Sequence, residues 1–360
     1  MGGSKGSVLV AMSGGVDSSV AACLLREQGY EVVGAHMRLV HLDGVDHGCC
    51  GPRAREDASE VARIAGFPFE VLDLTAEFEW EVVADFFEEH ERGRTPNPCA
   101  RCNGEIKFGA FLRSAVERGF GSVATGHYVR VRSGDDGARR LLRGIDRAKD
   151  QSYMLHMLGQ DELRRSLFPL GELSKSETRA LAERFGLPVA SKPDSQELCF
   201  APAGEAGAVV RTAAPALVRE GGEVVDPSGT LLAEHDGTFA FTVGQRRGLG
   251  VALGEPAYVL ELDAAANRVV VGPRELLSRR GLQADRASWV AGSPPDGGGF
   301  AATVRIRSHG EDIAAVVEPI HDGFRAEFPE PQRAVAPGQS AVVYRGDEVL
   351  GGGRIVSTWR

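Results

Sequence analysis

Apolar positions in the first half of the chain alternate between strand-length runs and helix-spaced runs. SVLVAM (7–12) is short, apolar and β-branched, as a buried strand is. SVAACLLREQG follows at helical spacing, with Val20, Leu24 and Leu25 on one face and Gly29 as a stop. EVVGAHM then reads as a strand, RAREDASEVARIAG as a helix ending before Gly66, PFEVLDL as a strand and EFEWEVVADFFEEHERG as a helix. TPNPCARCN (95–103) reads as a loop, EIKFGAFLRSAVERGF as a fourth helix and GSVATGHY as a fourth strand. This alternation predicts an α/β fold, a parallel sheet with helices on both faces. Right-handed crossovers would gather the loops after the strands along one sheet edge, where ligands bind.

The texture changes after about residue 205. Short alternating runs take over: TFAFTV, AYVLELD, NRVVVG, ATVRIRS, AAVVEPI, GFRAEF and QSAVVYRGDEVLGGGRIV, separated by Gly, Pro, Asp and Asn. The expected organisation is an α/β domain over 1–205, a small mostly-β connector over 206–280 and a C-terminal β-barrel over 281–360. No internal repeat interrupts it.

Composition adds limits. The chain has 360 residues, 42% hydrophobic and 25% charged, which is ordinary for a globular protein of two or three domains. It contains no apolar run of about 18 residues that would span a membrane. MGGSKGSVLVAMSGG reads as the approach to a strand, not an export leader. Six cysteines do not make a disulfide scaffold, so the expected compartment is the reducing cytoplasm. There a cysteine pair more often means metal or catalysis. A net charge of −9 argues against a basic nucleic-acid coat. It leaves room for a local basic face, and Arg139, Arg140, Arg143, Arg147 and Lys149 form either such a patch or a solvated run.

SGGVDSS (13–19) lies between the first strand and the first helix. Paired glycines let backbone N–H groups approach an anion, Ser13, Ser18 and Ser19 add hydroxyls, and a helix N-terminus points at the same spot. With no Lys inside it, this is not the Gly-rich loop of γ-phosphate transfer. Ser-Gly-Gly-x-Asp-Ser in this context resembles the PP-loop of the ATP pyrophosphatase superfamily. The resemblance implies an adenine-nucleotide-binding domain that takes ATP, releases pyrophosphate and places AMP on a substrate oxygen. It places Ala11, Met12, Ser13, Gly14, Gly15, Val16, Asp17 and Ser18 on the nucleotide, with Asp17 near Mg2+, Met37 beside the adenine and Gly126 close by.

The cysteines choose among the chemistries of that superfamily. Cys23, in the middle of the first helix, reads as a small buried hydrophobe. Cys99 and Cys102 form a Cys-x-x-Cys pair, Cys199 lies in SKPDSQELCF, and Cys49 and Cys50 are adjacent. Two cysteines that meet can carry and release a sulfur atom, since thiolates and persulfides are strong nucleophiles. Three cysteines suit an iron–sulfur cluster with one open iron. Zinc wants four ligands, and Cys49, Cys50, His41 or His47 could complete the set.

TPNPCARCNGEIKFGAFL, ATGHYVR, DQSYMLHML, SKPDSQELCF, FTVGQRRGLG and PGQSAVVY, in this order, resemble the successive signatures of the tRNA-specific 2-thiouridylase family over nearly the whole chain. The resemblance implies ATP-dependent thiolation of the 2-position of the wobble uridine, with tRNA bound through its anticodon stem-loop. Sulfur would come from a persulfide donor such as a cysteine desulfurase or relay protein. Cys102 would be the nucleophile and Cys199 the persulfide carrier, the two forming a disulfide during turnover. Cys99 stands where many members have Asp, which leaves a second route open: a 4Fe-4S cluster on Cys99, Cys102 and Cys199. The resemblance places Asn97, Pro98, Cys99, His127, Lys149, Asp150, Gln151 and Gln339 on the tRNA. Arg305 and Arg307 in ATVRIRS share a strand face and could both meet phosphates. Another PP-loop ligase acting on RNA, or a non-enzymatic RNA-binding protein with structural zinc, are the rival expectations.

Overall fold

The structure is a computed structural model that describes residues 5–40, 51–194, 199–200, 206–251, 254–295 and 298–360. His41, His47, Cys49 and Cys50, the expected further zinc ligands, lie outside the described residues.

A five-stranded parallel sheet in the order β3-β2-β1-β4-β7 forms the centre of the N-terminal part. Its strands are β1 (Ser7–Ala11), β2 (Glu31–Arg38), β3 (Phe69–Asp73), β4 (Ser122–Ala124) and β7 (Ser166–Leu167). β1 is apolar throughout because both of its faces are covered. Val8 and Val10 face one core layer with Val20, Ala21 and Leu25, while Leu9 and Ala11 face a second with Ile106 and Phe111. The helices α1 (Val16–Glu27), α2 (Pro52–Ala65) and α8 (Lys175–Arg184) belong to the first layer. The second is built from α3 (Thr75–Phe78), α4 (Ala84–Glu91), α5 (Pro98–Cys102), α6 (Phe111–Glu117) and the π-helical stretches Glu79–Val83 and Asn103–Ala110. The chain runs outward from β1 through β2 to β3 and then back across to β4, so the switch point lies beyond the ends of β1 and β4.

The expected cysteine loop is helical. Asn97 caps α5, its side-chain oxygen accepting from Ala100 N at 3.1 Å, and Pro98 occupies the first turn, where a missing N–H costs nothing. The helix continues through the π stretch into α6, so the pair and the expected fourth helix are one element. The expected fourth strand is only β4, three residues long.

A hairpin absent from the sequence-based expectation, β5 (Val129–Ser133) with β6 (Arg139–Arg143), leaves this part and joins another sheet. Two short helices follow, α7 (Gln160–Arg165) before β7 and α9 (Ala206–Ala213) at the entrance to the connector. The connector is a sheet in the order β10-β11-β8-β9, from β8 (Gly222–Val225), β9 (Leu231–His235), β10 (Tyr258–Asp263) and β11 (Arg268–Gly272). The C-terminal strands are β12 (Ser278–Trp289), β13 (Phe300–Arg305), β14 (Ile313–Ile320), β15 (Gly323–Arg333), β16 (Ser340–Arg345) and β17 (Glu348–Trp359). They close into a six-stranded barrel because β12 pairs with both β15 and β17. β17 also pairs with β6, Glu348 opposite Leu142 and Val349 opposite Leu141, so one strand ties barrel to hairpin. β13 ends at Arg305, leaving Arg307 beyond the strand rather than on a shared strand face with it.

Candidate active site

The loop after β1 sits at the switch point. Gly14 has φ +68°, and a Cβ there would stand 2.1 Å from Ala54 O, so no other residue fits between loop and α2. Gly15 precedes α1 in extended conformation with no side-chain cap, which leaves the first-turn N–H groups to a ligand. Ser19 Oγ donates to Gly15 O at 2.8 Å and Ser18 Oγ accepts from Ser13 N at 3.2 Å, fixing the loop's curve. Gly126 passes close over it: a Cβ there would be 2.6 Å from Ser18 N. Met12 is buried, and Met37 lies in β2 opposite Leu72 of β3.

Two lysines from distant segments supply the charge the loop lacks. Lys175 Nζ, at the start of α8, lies 2.8 Å from both carboxylate oxygens of Asp17. The same ammonium reaches Asp194 Oδ1 at 2.8 Å. Lys192 Nζ donates to Gly14 O at 2.9 Å and pairs with Asp57. Tyr128 Oη donates to Asp17 Oδ1 at 2.8 Å; burial, with Asp17 adding, raises its pKa well above the ordinary range. Burial pulls the Asp194 carboxyl upward, but Lys175 and Lys149 outweigh it and hold it below the usual value. Neither lysine was among the sequence-expected site residues. The signal was the repeated Ser-Lys at 174–175 and 191–192, but neither lies near the loop in sequence.

This oxygen-rich, cation-bridged cradle fits a nucleotide triphosphate. The uncapped N–H groups at the start of α1 and the ammonium of Lys175 suit its phosphates, and the Asp17 and Asp194 carboxylates suit a hard divalent cation.

The cysteines differ in their surroundings. Cys99 is exposed, Cys102 is 8% exposed and Cys199 is intermediate. Cys102 belongs to the apolar cluster that also holds Phe78, Phe86, Ile106 and Phe200. Phe200 packs edge-on against Phe86, centroids 5.2 Å apart, and against Phe78 at 5.8 Å. The residue next to Cys199 is therefore set into the layer that carries Cys102. At the other end, Asp194 is held on Lys175, Lys149 and Arg179. Asp194, before Cys199, thus lies on the phosphate cradle, and Phe200, after it, lies in the Cys102 layer.

No disulfide joins the cysteines of the described residues. Among the described residues no three His, Cys, Asp or Glu side chains gather as a metal-binding group. The described residues thus give the expected 4Fe-4S cluster no support: Cys99 is exposed, while Cys102, three residues on, belongs to the apolar cluster. Cys23 is buried, and desolvation pushes its thiol up to about 11, as its expected role as a small hydrophobe requires.

The residues expected at tRNA are scattered in role. Pro98 is buried and Asn97 caps the cysteine helix. His127 is buried, its Nδ1 2.7 Å from Thr125 Oγ1, and burial, with Lys107 adding, drives its pKa well below the ordinary value, so the ring is neutral. Lys149 pairs with Asp194 at 2.9 Å and Gln151 Oε1 accepts from Tyr128 N at 3.0 Å. Asp150 accepts from Gly144 N, Ser152 N and Ser152 Oγ, and faces Arg305 at 3.6 Å. Arg305 also pairs with Asp312 at 3.0 Å, whereas Arg307 is exposed. The basic run is largely ion-paired: Arg140 with Asp136 and Glu348, Arg143 with Asp312, Arg147 with Asp347. Gln339 Nε2 donates to Thr95 O at 2.9 Å and to Pro96 O at 3.3 Å.

A family model described as the tRNA methyl transferase HUP domain matches residues 6–203, over both the phosphate cradle and the cysteines. Models described as the tRNA methyl transferase PRC-barrel domain and the aminomethyltransferase beta-barrel domain match residues 214–273 and 279–355. The tRNA-specific 2-thiouridylase MnmA of Roseiflexus castenholzii is 44% identical over 367 residues, covering 97% of this chain and 98% of its own length. The chain belongs to the tRNA-specific 2-thiouridylase family. The MnmA of Heliobacterium modesticaldum is 46% identical, covering 98% and 93%. That of Acidothermus cellulolyticus is 47% identical, covering 98% of each chain. As in the sequence-based expectation, the fold is a 2-thiouridylase fold: a parallel-sheet domain, a small connector and a closed barrel. Among the described residues no helix is long and apolar enough to cross a membrane.

Proposed function

We propose that this chain is an ATP-dependent tRNA-uridine 2-sulfurtransferase acting on the wobble position, with residues 1–205 catalytic, 206–280 a connector and 281–360 a barrel on the tRNA side. The observation that carries this is the placement of Phe200, beside Cys199, in the same apolar cluster as Cys102, with Asp194 of the same segment on the phosphate cradle.

ATP, with Mg2+, supplies an activated α-phosphate that turns the uridine 2-oxygen into a leaving group. The first-turn N–H groups of α1 and Lys175 would hold the phosphates, and Asp17 and Asp194 would hold the cation. The terminal sulfur of a Cys199 persulfide attacks C2, and AMP departs with the former oxygen. The Cys102 thiolate then attacks the Cys199 sulfur, breaking the bond to the transferred sulfur and releasing the thiolated base. A Cys102–Cys199 disulfide remains, for a thiol reductant to reopen. A persulfide donor protein reloads Cys199. The neutral His127 and the start of α5 at Asn97, Pro98 and Cys99 would face the extruded base. On a chain of net charge −9, tRNA affinity rests on local cations such as Arg307 and falls steeply with salt.

The test separates activation from sulfur transfer. Cys199→Ser should retain ATP-dependent pyrophosphate release with tRNA present and yield no 2-thiouridine. Thiolation at the wild-type level by that variant would remove Cys199 from the route.

A further inference from the structure

We infer that Gln339 is a positioning residue for the sulfur transfer: the barrel holds the cysteine helix in place through this side-chain amide. The inference rests on Cys102 as nucleophile and goes beyond it, since it assigns the barrel a task inside the catalytic domain.

Thr95-Pro96-Asn97-Pro98 leads into α5. Its two prolines have no N–H, and each keeps the residue before it out of helical conformation, so this stretch lacks the bonds of regular structure. The carbonyls of Thr95 and Pro96 need donors from elsewhere. Gln339 supplies both from its one NH2 group, at 2.9 and 3.3 Å. Thr95 N donates back to Pro337 O at 2.9 Å, and Thr95 Oγ1 lies 3.2 Å from Thr242 Oγ1 of the connector. Gly338 makes the approach possible: its φ is +94°, and a Cβ there would stand 2.6 Å from Thr95 O. Gln339 is itself fixed in the barrel, its N–H donating to Ala336 O at 3.3 Å and its carbonyl accepting from Ile355 N at 2.8 Å. Immediately downstream, Asn97 caps the helix that ends in Cys102. Freeing Thr95 and Pro96 would loosen that cap and the direction of the whole turn. Resemblance alone places Gln339 on tRNA. Here its amide nitrogen donates to two carbonyls of the stretch before the cysteine helix.

The test uses the full-length protein with Gln339→Glu, which keeps the size and sets a carboxylate against two carbonyls, and Gln339→Met, which only removes the donors. Two quantities are read. The first is the rate at which iodoacetamide alkylates Cys102 without tRNA, ATP or sulfur, followed by peptide mass spectrometry. The second is the split of tRNA thiolation into kcat and KM. We expect Cys102 labelling to rise at least about threefold as the loop opens locally. We expect kcat to fall about tenfold or more, as misplacement of a nucleophile does, with KM for tRNA within about twofold. Unchanged labelling and kcat with a raised KM would make Gln339 a tRNA contact only and overturn the inference. Should the Glu variant lose its near-ultraviolet circular dichroism, the Met variant decides by the same two readings. Labelling needs no turnover, so it judges the clamp even if the wild-type protein made no 2-thiouridine, a result that would sink the sulfurtransferase proposal instead.

Discussion

Replacing Arg354 with Met should loosen the barrel from the catalytic domain. Arg354, on β17, reaches Asp85 at 2.7 Å and Glu89 at 3.0 Å, and all three side chains are largely buried, at 14%, 11% and 1% exposure. Removing one member of a buried ion pair costs about 3–5 kcal/mol, because the partner is left charged and desolvated. Here the loss is softened: Glu89 keeps Arg92 at 2.9 Å and Arg94 at 3.5 Å, and Asp85 keeps Arg286 at 3.4 Å. About 2–3 kcal/mol is therefore expected, at or just below the lower end of that range. With a urea m-value of about 2 kcal/mol/M, the barrel transition should move about 1 M lower. Tryptophan fluorescence reports it, since Trp289 and Trp359 lie in β12 and β17. The pH dependence adds a sign. Burial raises the Glu89 carboxyl, but Arg354, Arg92 and Arg94 hold it below the ordinary value. Its contribution to stability is thus full above the unfolded carboxylate pKa, about 4.3, and fades as pH falls through the lower folded value. In the variant that loss should begin at higher pH. Adding Glu89→Gln to Arg354→Met should recover part of the lost stability. A midpoint within about 0.2 M of the parent would refute the cluster as a domain tie.

Lys175→Met should leave Asp17 and Asp194 facing each other without their shared cation, and pyrophosphate release should fall about 100-fold or more, as for removal of a positioned charge. Release within a factor of about three of the wild type would remove Lys175 from the cradle. In a timed alkylation at pH 8, among the cysteines of the described residues Cys99 should react first, being exposed, and Cys23 last, being buried with its thiol pushed up to about 11; early modification of Cys23 in folded protein would contradict the packing of α1.

The central sheet was legible because each strand and helix carries its own period and its own stop, such as Gly29 and Gly66. The barrel was legible as texture, from short alternating runs. What escaped depends on non-local pairing. The β5–β6 hairpin belongs to the barrel sheet only through Leu141 and Leu142 opposite Val349 and Glu348, and nothing local announces that register. β7 is two residues long, below any periodic signal. The helical state of Pro98–Cys102 was available in Asn-Pro, a cap followed by a first-turn proline, but the two prolines also fit a loop. In the site, the glycine loop and the cysteines carry local patterns. Lys175 and Lys192 do not, since the fold alone brings them to Asp17 and Gly14.

In the proposed reaction sulfur passes from Cys199 to the base while ATP is cleaved to AMP and pyrophosphate. Enzyme loaded with a heavy-sulfur persulfide on Cys199 should be mixed with ATP and unmodified tRNA for a single turnover, followed by nucleoside mass spectrometry. Heavy 2-thiouridine should form in step with AMP and pyrophosphate, and a base-linked Cys199 adduct should accumulate in Cys102→Ser. Unlabelled product, ADP in place of AMP, or full thiolation by Cys199→Ser would contradict it.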